Sequence, residues 1–134
     1  MAPRISLALV LHNHQPVGNF DHVFEQACVR AYLPFLLTLL EFPAVRIGLH
    51  TSGCLWEWVE VHMPEYRQVV DALLARGQIE LLGGGMYEPI LPVWPARDSL
   101  RQLRRMSSFL AERFGHEPAG AWIPERVWEP QMPE

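Results

Sequence analysis

Cysteine is scarce in this 134-residue chain. Cys28 and Cys54 are the only two, and they show neither a CxxC pair nor disulfide-rich spacing. That argues against a disulfide scaffold, points to a reducing compartment, and makes buried packing the expected role of both thiols. Excess positive charge is also absent: the net charge is −4, with acidic and basic residues mixed along the chain. With no basic stripe and no polybasic patch, nucleic acid and anionic lipid are poor expectations for a partner. No stretch approaches the ~20 consecutive apolar residues that cross a bilayer. The start, Met1 to Leu11, imitates a signal peptide because Arg4 precedes an apolar run. The run is short, however, lacks a small-residue cleavage site, and meets His12-Asn13-His14-Gln15-Pro16 at once. A soluble, cytoplasmic protein is therefore expected. The run Gly83-Gly84-Gly85 has neither the GxGxxG spacing nor the following helix of a dinucleotide site, so close backbone packing explains it better.

What is present is a 49% hydrophobic chain, enough for one ordinary domain over residues 1–134 and too short for two. Ile5 to Leu11 is apolar and branched, as in a strand buried on both faces. Asp21 stands where it can cap a helix carrying Val23, Phe24, Ala27, Cys28, Ala31 and Tyr32. Pro34 predicts a break or kink before a second helix over about Phe35 to Glu41. Val45 to His50 reads as a second strand and Cys54 to His62 as a helix. Pro64 opens another helix that runs to Arg76, with Gly77 as its stop. Gln78 to Leu82 is the third strand, ended by the three glycines. A helix from about Arg97 to Phe114 carries Leu100, Leu103, Met106, Phe109 and Leu110 on one face and ends at Gly115, and Ala119 to Ile123 is the fourth strand. Strand and helix alternate, which predicts an α/β fold of parallel strands with crossover helices. The carboxyl ends of such strands share one face. His12 and His14, His50, Glu80 with Glu88, and Glu125 all lie in or near strand ends.

The segment Trp122-Ile123-Pro124-Glu125-Arg126-Val127-Trp128 sets a carboxylate just past a strand, with an indole three residues to either side. Aromatic faces cover the C–H surfaces of a pyranose, and a carboxylate meets the positive charge that develops at an anomeric carbon. Arg126 beside it is placed to favour the ionised form. The same residues also fit an exposed Glu–Arg pair on a loop beside core tryptophans. His12 and His14, two apart on a strand, point to one side. They suit sugar hydroxyls, a hydrogen-bonded structural role, or metal ligation with His50 as the third ligand. Glu80 lies inside a strand, where an unpaired buried carboxylate costs ~3–5 kcal/mol, so it must face the site or a partner.

Three stretches together resemble the N-terminal catalytic region of glycoside hydrolase family 57, most closely its 4-α-glucanotransferase and α-amylase branch. They are His12 through Phe20, Gly77-Gln78-Ile79-Glu80 running into Gly84 through Pro89, and Trp122 through Trp128. The resemblance implies an incomplete (β/α)7 TIM-like barrel represented by its first four strands, and a retaining mechanism on starch or maltooligosaccharides without metal or organic cofactor. It makes Glu125 the nucleophile, and it puts His12, His14, Glu80 and Trp122 around the sugar to be cleaved. Pro124 departs from the threonine of close relatives. The acid/base partner, needed about 5–5.5 Å from the nucleophile, is in the family an aspartate beyond Glu134. The resemblance gives that role to none of Glu80, Glu88 or Glu129. By this reading the chain alone lacks full activity, its last strand presents an unpaired edge, its inner face exposes apolar surface, and a complementary C-terminal chain is a candidate partner. Two other readings stand beside it: a metal-dependent polysaccharide deacetylase, and a non-catalytic half-barrel that binds glucan or a partner chain.

Overall fold

A computed structural model describes residues 5–130 and 132. Arg4 of the leader-like start and Glu134 lie outside the described residues. In chain order the elements are β1 (Val10–Asn13), α1 (Asp21–Ala27), a π-helical turn (Cys28–Tyr32), α2 (Leu33–Glu41), β2 (Ile47–Thr51), α3 (Gly53–His62), α4 (Pro64–Ala75), β3 (Ile79–Leu81), β4 (Gly83–Gly84), α5 (Ala96–Phe114) and β5 (Ala121–Trp122). Short 3₁₀ turns span Leu91–Val93 and Pro124–Arg126. The strands β1, β2 and β3 form one parallel sheet in that order, and β4 pairs in parallel with β5. Mixed α/β structure with parallel strands is thus the architecture.

Helices cover one face of the sheet. There Leu36 and Leu39 of α2, Leu49 of β2, Leu55 and Trp56 of α3, Tyr66, Val70 and Leu73 of α4, Leu81 of β3, and Met106 and Leu110 of α5 close into one buried cluster. Burying a side chain of this size contributes ~1.5–3 kcal/mol, and this layer holds the sheet in place. The opposite face carries Val10, Gly48, Glu80 and Leu82 and stays open. Ile5 is 96% exposed and Leu7 89%, and Leu9 and Val10 are exposed too. The first strand is therefore shorter than Ile5–Leu11 and is not buried on both faces, because nothing among the described residues packs on that side.

The local structure departs from the sequence reading at three further points. Pro34 does not break the helix. The π turn before it lets the Leu33 N–H bond the Cys28 carbonyl five residues back, and this wider turn accommodates a proline ring that lacks an N–H and crowds a tighter one. The result is 21 continuous helical residues, Asp21–Glu41, long and apolar enough by length and composition to cross a membrane. The expectation that no such stretch exists is corrected, although Phe24, Cys28, Leu36 and Leu39 of this helix are spent on the core. Asp21 does not cap: Phe20 precedes the helix without a side-chain cap, and Asp21 Oδ1 instead accepts the Trp58 indole N–H at 3.0 Å. The three glycines do not end the third strand cleanly, since Gly83 and Gly84 carry the pairing on to β5. At Gly84, with φ 151°, a Cβ would stand 3.0 Å from the Trp122 carbonyl oxygen and 3.1 Å from His50 Nε2. The close backbone packing expected of this run is what the glycine permits.

The buried Tyr66 hydroxyl joins three elements. It accepts from Asn13 Nδ2 at 2.9 Å and lies 3.1 Å from Thr51 Oγ1. Replacing Tyr66 by Phe leaves both partners unsatisfied in the core, so the urea midpoint should fall by an amount equivalent to ~1–3 kcal/mol at unchanged slope. A neutral result would mean that water replaces the hydroxyl.

Candidate active site

The polar run after β1 divides by the two-residue period of an extended chain. Asn13 and Gln15 turn inward and are buried. Asn13 bonds Tyr66, while Gln15 Nε2 donates to the Tyr32 hydroxyl at 3.2 Å and Gln15 Oε1 accepts from Asn19 Nδ2 at 2.9 Å. The Gln15 backbone is fastened to α3 as well: its N–H donates to Ser52 Oγ, and its carbonyl accepts from Ser52 Oγ and the Cys54 thiol. These ties leave His12 and His14 facing the other way, into a concavity of about 550 Å³. Trp122, Pro124, Glu125, Arg126 and Glu88 complete its lining.

Parallel register places His12 beside His50, and their Nδ1 atoms lie 2.8 Å apart. His12 also stacks on Trp122, with ring centroids 4.5 Å apart and planes at 17°, so the imidazole covers one face of the indole. His50 is fully buried. Burial, then the neighbouring His12 and His14, pull its pKa down to about 3. Burial and then His14 bring that of His12 to about 4. Both rings are therefore neutral at physiological pH and act as hydrogen-bond partners. The shared His12–His50 contact needs one proton between two nitrogens, and His50 Nε2 has no partner. The less costly tautomer protonates His50 at Nδ1, which leaves only a lone pair unpaired.

Glu125 sits on the strand-end turn after β5. It and Arg126 both have φ 55°, in the left-handed region that side chains other than glycine's rarely adopt. Such a conformation costs ~1–3 kcal/mol per residue and concentrates at functional sites. It holds Glu125 exposed on the wall of the concavity that His12 and His14 also line. Arg126 lines the same space, but among the described residues it forms no ion pair with Glu125. Trp128 is 58% exposed and does not line the concavity, so of the two flanking indoles only Trp122 reaches it.

Glu80 is not brought to this cavity. Its β3 position pairs with Gly48, whereas the histidines stand at the level of His50, two residues further along β2. That offset is ~6–7 Å along the strands. Glu80 has the sheet face expected of it but lies too low, in a separate depression with Leu9, Val10, Gly48 and Leu82. The carboxylate at the histidine level is Glu88. Its chain turns back through Gly85, where a Cβ would sit 2.5 Å from Pro89 Cδ. Glu88 itself has φ 53°, and its N–H bonds the Gly85 carbonyl at 3.0 Å. Its side chain is 8% exposed. Oε1 lies 3.1 Å from His12 Nε2, and Oε2 contacts His14 Nδ1. Burial pushes its pKa up, His14 draws it back, and the nearby charge of Glu125 raises it again. The sequence signal for Glu88 was its place in Tyr87-Glu88-Pro89 just after a strand end; no local rule selects it over Glu80. His12, His14 and Glu88 are also the side chains whose donor atoms, within 4.8 Å of one another, can hold a metal. His50 is not part of that set among the described residues.

Residues 8–134 match the sequence profile of Glycosyl hydrolase family 57. The alpha-amylase of Pyrococcus horikoshii is 44% identical over 130 residues, 97% of this chain and 20% of that protein. The 4-alpha-glucanotransferase of Thermococcus litoralis is 42% identical over 129 residues, 96% of this chain and 19% of that protein. Its crystal structure superposes with a TM-score of 0.88 over 92% of this chain and 20% of that one. The peptidoglycan deacetylase PdaC from Bacillus subtilis shares the fold alone, with a TM-score of 0.61 at 15% identity over 94% of this chain and 52% of that one. The chain spans about a fifth of the length of the curated relatives it matches. With the profile match covering nearly every residue, and the fold agreeing with a solved relative at 42% identity, the chain belongs to glycosyl hydrolase family 57.

Proposed function

We propose that this chain is the nucleophile-bearing portion of an α-glucan-active retaining glycosidase or 4-α-glucanotransferase, working in the cytoplasm on starch or maltooligosaccharides. The observation that carries the reading is Glu125, held in a left-handed turn on the wall of a cavity shared with His12, His14 and Trp122. A Glu125 oxygen attacks the anomeric carbon as the glycosidic C–O bond breaks and a second carboxyl group gives its proton to the leaving oxygen, yielding a covalent glycosyl-enzyme and a free sugar hydroxyl. Neutral His12 and the exposed His14 offer hydrogen bonds to sugar hydroxyls, and the Trp122 edge borders the ring. Water or a sugar hydroxyl then attacks the same ester, so hydrolysis and transfer differ in which acceptor arrives.

The second carboxyl group belongs to the downstream region of a (β/α)7 barrel of which these strands are the first part. The open inner face of β1–β3 supports that view, since Val10 is apolar and exposed on a sheet whose other face is covered, and Ile5, Leu7 and Leu9 just before β1 are exposed as well. A complementary C-terminal chain would serve as well as a continuous one.

Mechanism-based labelling tests this. The chain, joined to the region that follows it in relatives, is treated with a 5-fluoro-α-glucosyl fluoride, which slows breakdown of the covalent species. One adduct on the peptide containing Glu125 is expected. An adduct on Glu88 or Glu129, or turnover without any adduct, would overturn the assignment.

A further inference from the structure

The cluster at the inner end of the cavity has a property that sugar binding does not require. Glu88 is buried, yet its Oε1 has no hydrogen-bond partner. His12 Nε2 at 3.1 Å and His50 Nδ1 at 3.7 Å are close without being aligned to donate. A buried carboxylate oxygen left in this state costs energy that a cation would recover. Its neighbours are suited to one. The separation of 3.1 Å between His12 Nε2 and Glu88 Oε1 is close to the ~3.3 Å that separates two ligands at ~2.0–2.1 Å from a tetrahedral zinc ion.

We propose that His12 Nε2, His14 Nδ1 and a Glu88 carboxylate oxygen form a binding site for one divalent transition-metal cation, with zinc the matching chemistry. Two imidazoles and one carboxylate, with no thiolate, suit zinc better than the oxygen-seeking magnesium or calcium. A metal on His12 Nε2 requires the ring proton at Nδ1, so binding reverses the contact with His50: His12 Nδ1–H donates to His50 Nδ1, the His50 proton moves to Nε2, and the bound imidazole is oriented by that bond. His14 is half exposed, so the ion has an entry path and an open coordination position toward the cavity. In the glucan reading the same two histidines meet sugar hydroxyls. Bound metal and bound sugar therefore compete, and zinc is an inhibitor rather than a cofactor. The site itself stands whether or not Glu125 is the nucleophile.

Zinc chloride titrated into the 134-residue chain, followed by calorimetry at neutral pH, should show one site. Cobalt in its place should give the visible absorption of a four-coordinate ion. The exposed His14→Ala change should weaken zinc binding by ~100-fold or more, since loss of even an outer partner costs ~10–100-fold. His22→Ala, on the exposed start of α1, should leave it unchanged. Glu88→Asp should weaken zinc and keep the fold, with circular dichroism reporting the fold directly. No saturable zinc binding by the wild-type chain, or binding that His14→Ala leaves intact, overturns the proposal. Covalent labelling of Glu125 is unaffected by either result, so the two readings fail separately.

Discussion

Replacing Glu125 by Gln should lower turnover of maltooligosaccharides at least ~10³-fold, about 4 kcal/mol of lost transition-state stabilisation, in the chain joined to its downstream region. Gln keeps the size of the side chain and its place in the turn, so the left-handed conformation at residues 125 and 126 has no new reason to relax. What disappears is the nucleophilic oxygen. Binding should persist, because His12, His14 and Trp122 are untouched, and the loss should therefore fall in kcat more than in KM. A second variant separates chemistry from structure. Glu125→Ala opens room for azide, and an activated α-glucosyl fluoride should then yield β-glucosyl azide, the inverted product of attack from the vacated side. A Glu125→Gln enzyme that retains more than about a tenth of its activity would remove Glu125 from the reaction, because a covalent nucleophile normally lowers the barrier by far more.

Trp56→Ala should destabilise the chain by ~3–5 kcal/mol, read as a lower urea midpoint at constant slope. Trp56 is 1% exposed at the centre of the helical layer. It meets the Tyr66 ring edge-on, with centroids 5.6 Å apart and planes at 68°, and lies 4.9 Å from the Phe114 ring centroid. Its removal leaves a cavity that α3, α4 and α5 cannot all close on, since each is fixed by its own buried residues. Domains of this size are stable by only ~5–15 kcal/mol, so this single truncation takes a large share of the total. The effect should reach the cavity through Tyr66, whose hydroxyl fixes Asn13 between His12 and His14. A loss below about 1.5 kcal/mol would mean that the helices repack without this side chain.

These two residues show how far a one-dimensional reading reaches. Glu125 is readable as a carboxylate just past a strand, whereas Trp56 is one residue of the helix expected over Cys54 to His62, and its place at the centre of the core comes from the fold. Period-two alternation separates His12 and His14 from Asn13 and Gln15, because an extended backbone allows no other division. The glycine stops behave likewise. Gly77 and Gly115 take φ of 62° and 63° after their helices, a conformation that costs glycine little.

Glu80 and Glu88 show where it stops. Both follow the strand-end pattern, and the resemblance favoured Glu80, but which carboxylate meets the histidines depends on strand register. Pairing of β3 with β2 sets Glu80 opposite Gly48, and a turn through Gly85 lifts Glu88 to the level of His50. Pro34 is similar. The sequence states that a ring lacking an N–H must be accommodated, and the choice between a break and a π turn depends on keeping Cys28 and Leu36 in one core.

By itself, then, the sequence determined the alternation of strand and helix, the family, and the residue types able to meet a sugar, because each rests on local periodicity or on motifs readable in order. Only the tertiary structure decided which acid joins His12 and His14, which indole turns inward, and which sheet face stays open. Those outcomes rest on contacts between residues tens of positions apart, and no local preference encodes the level at which two strands align.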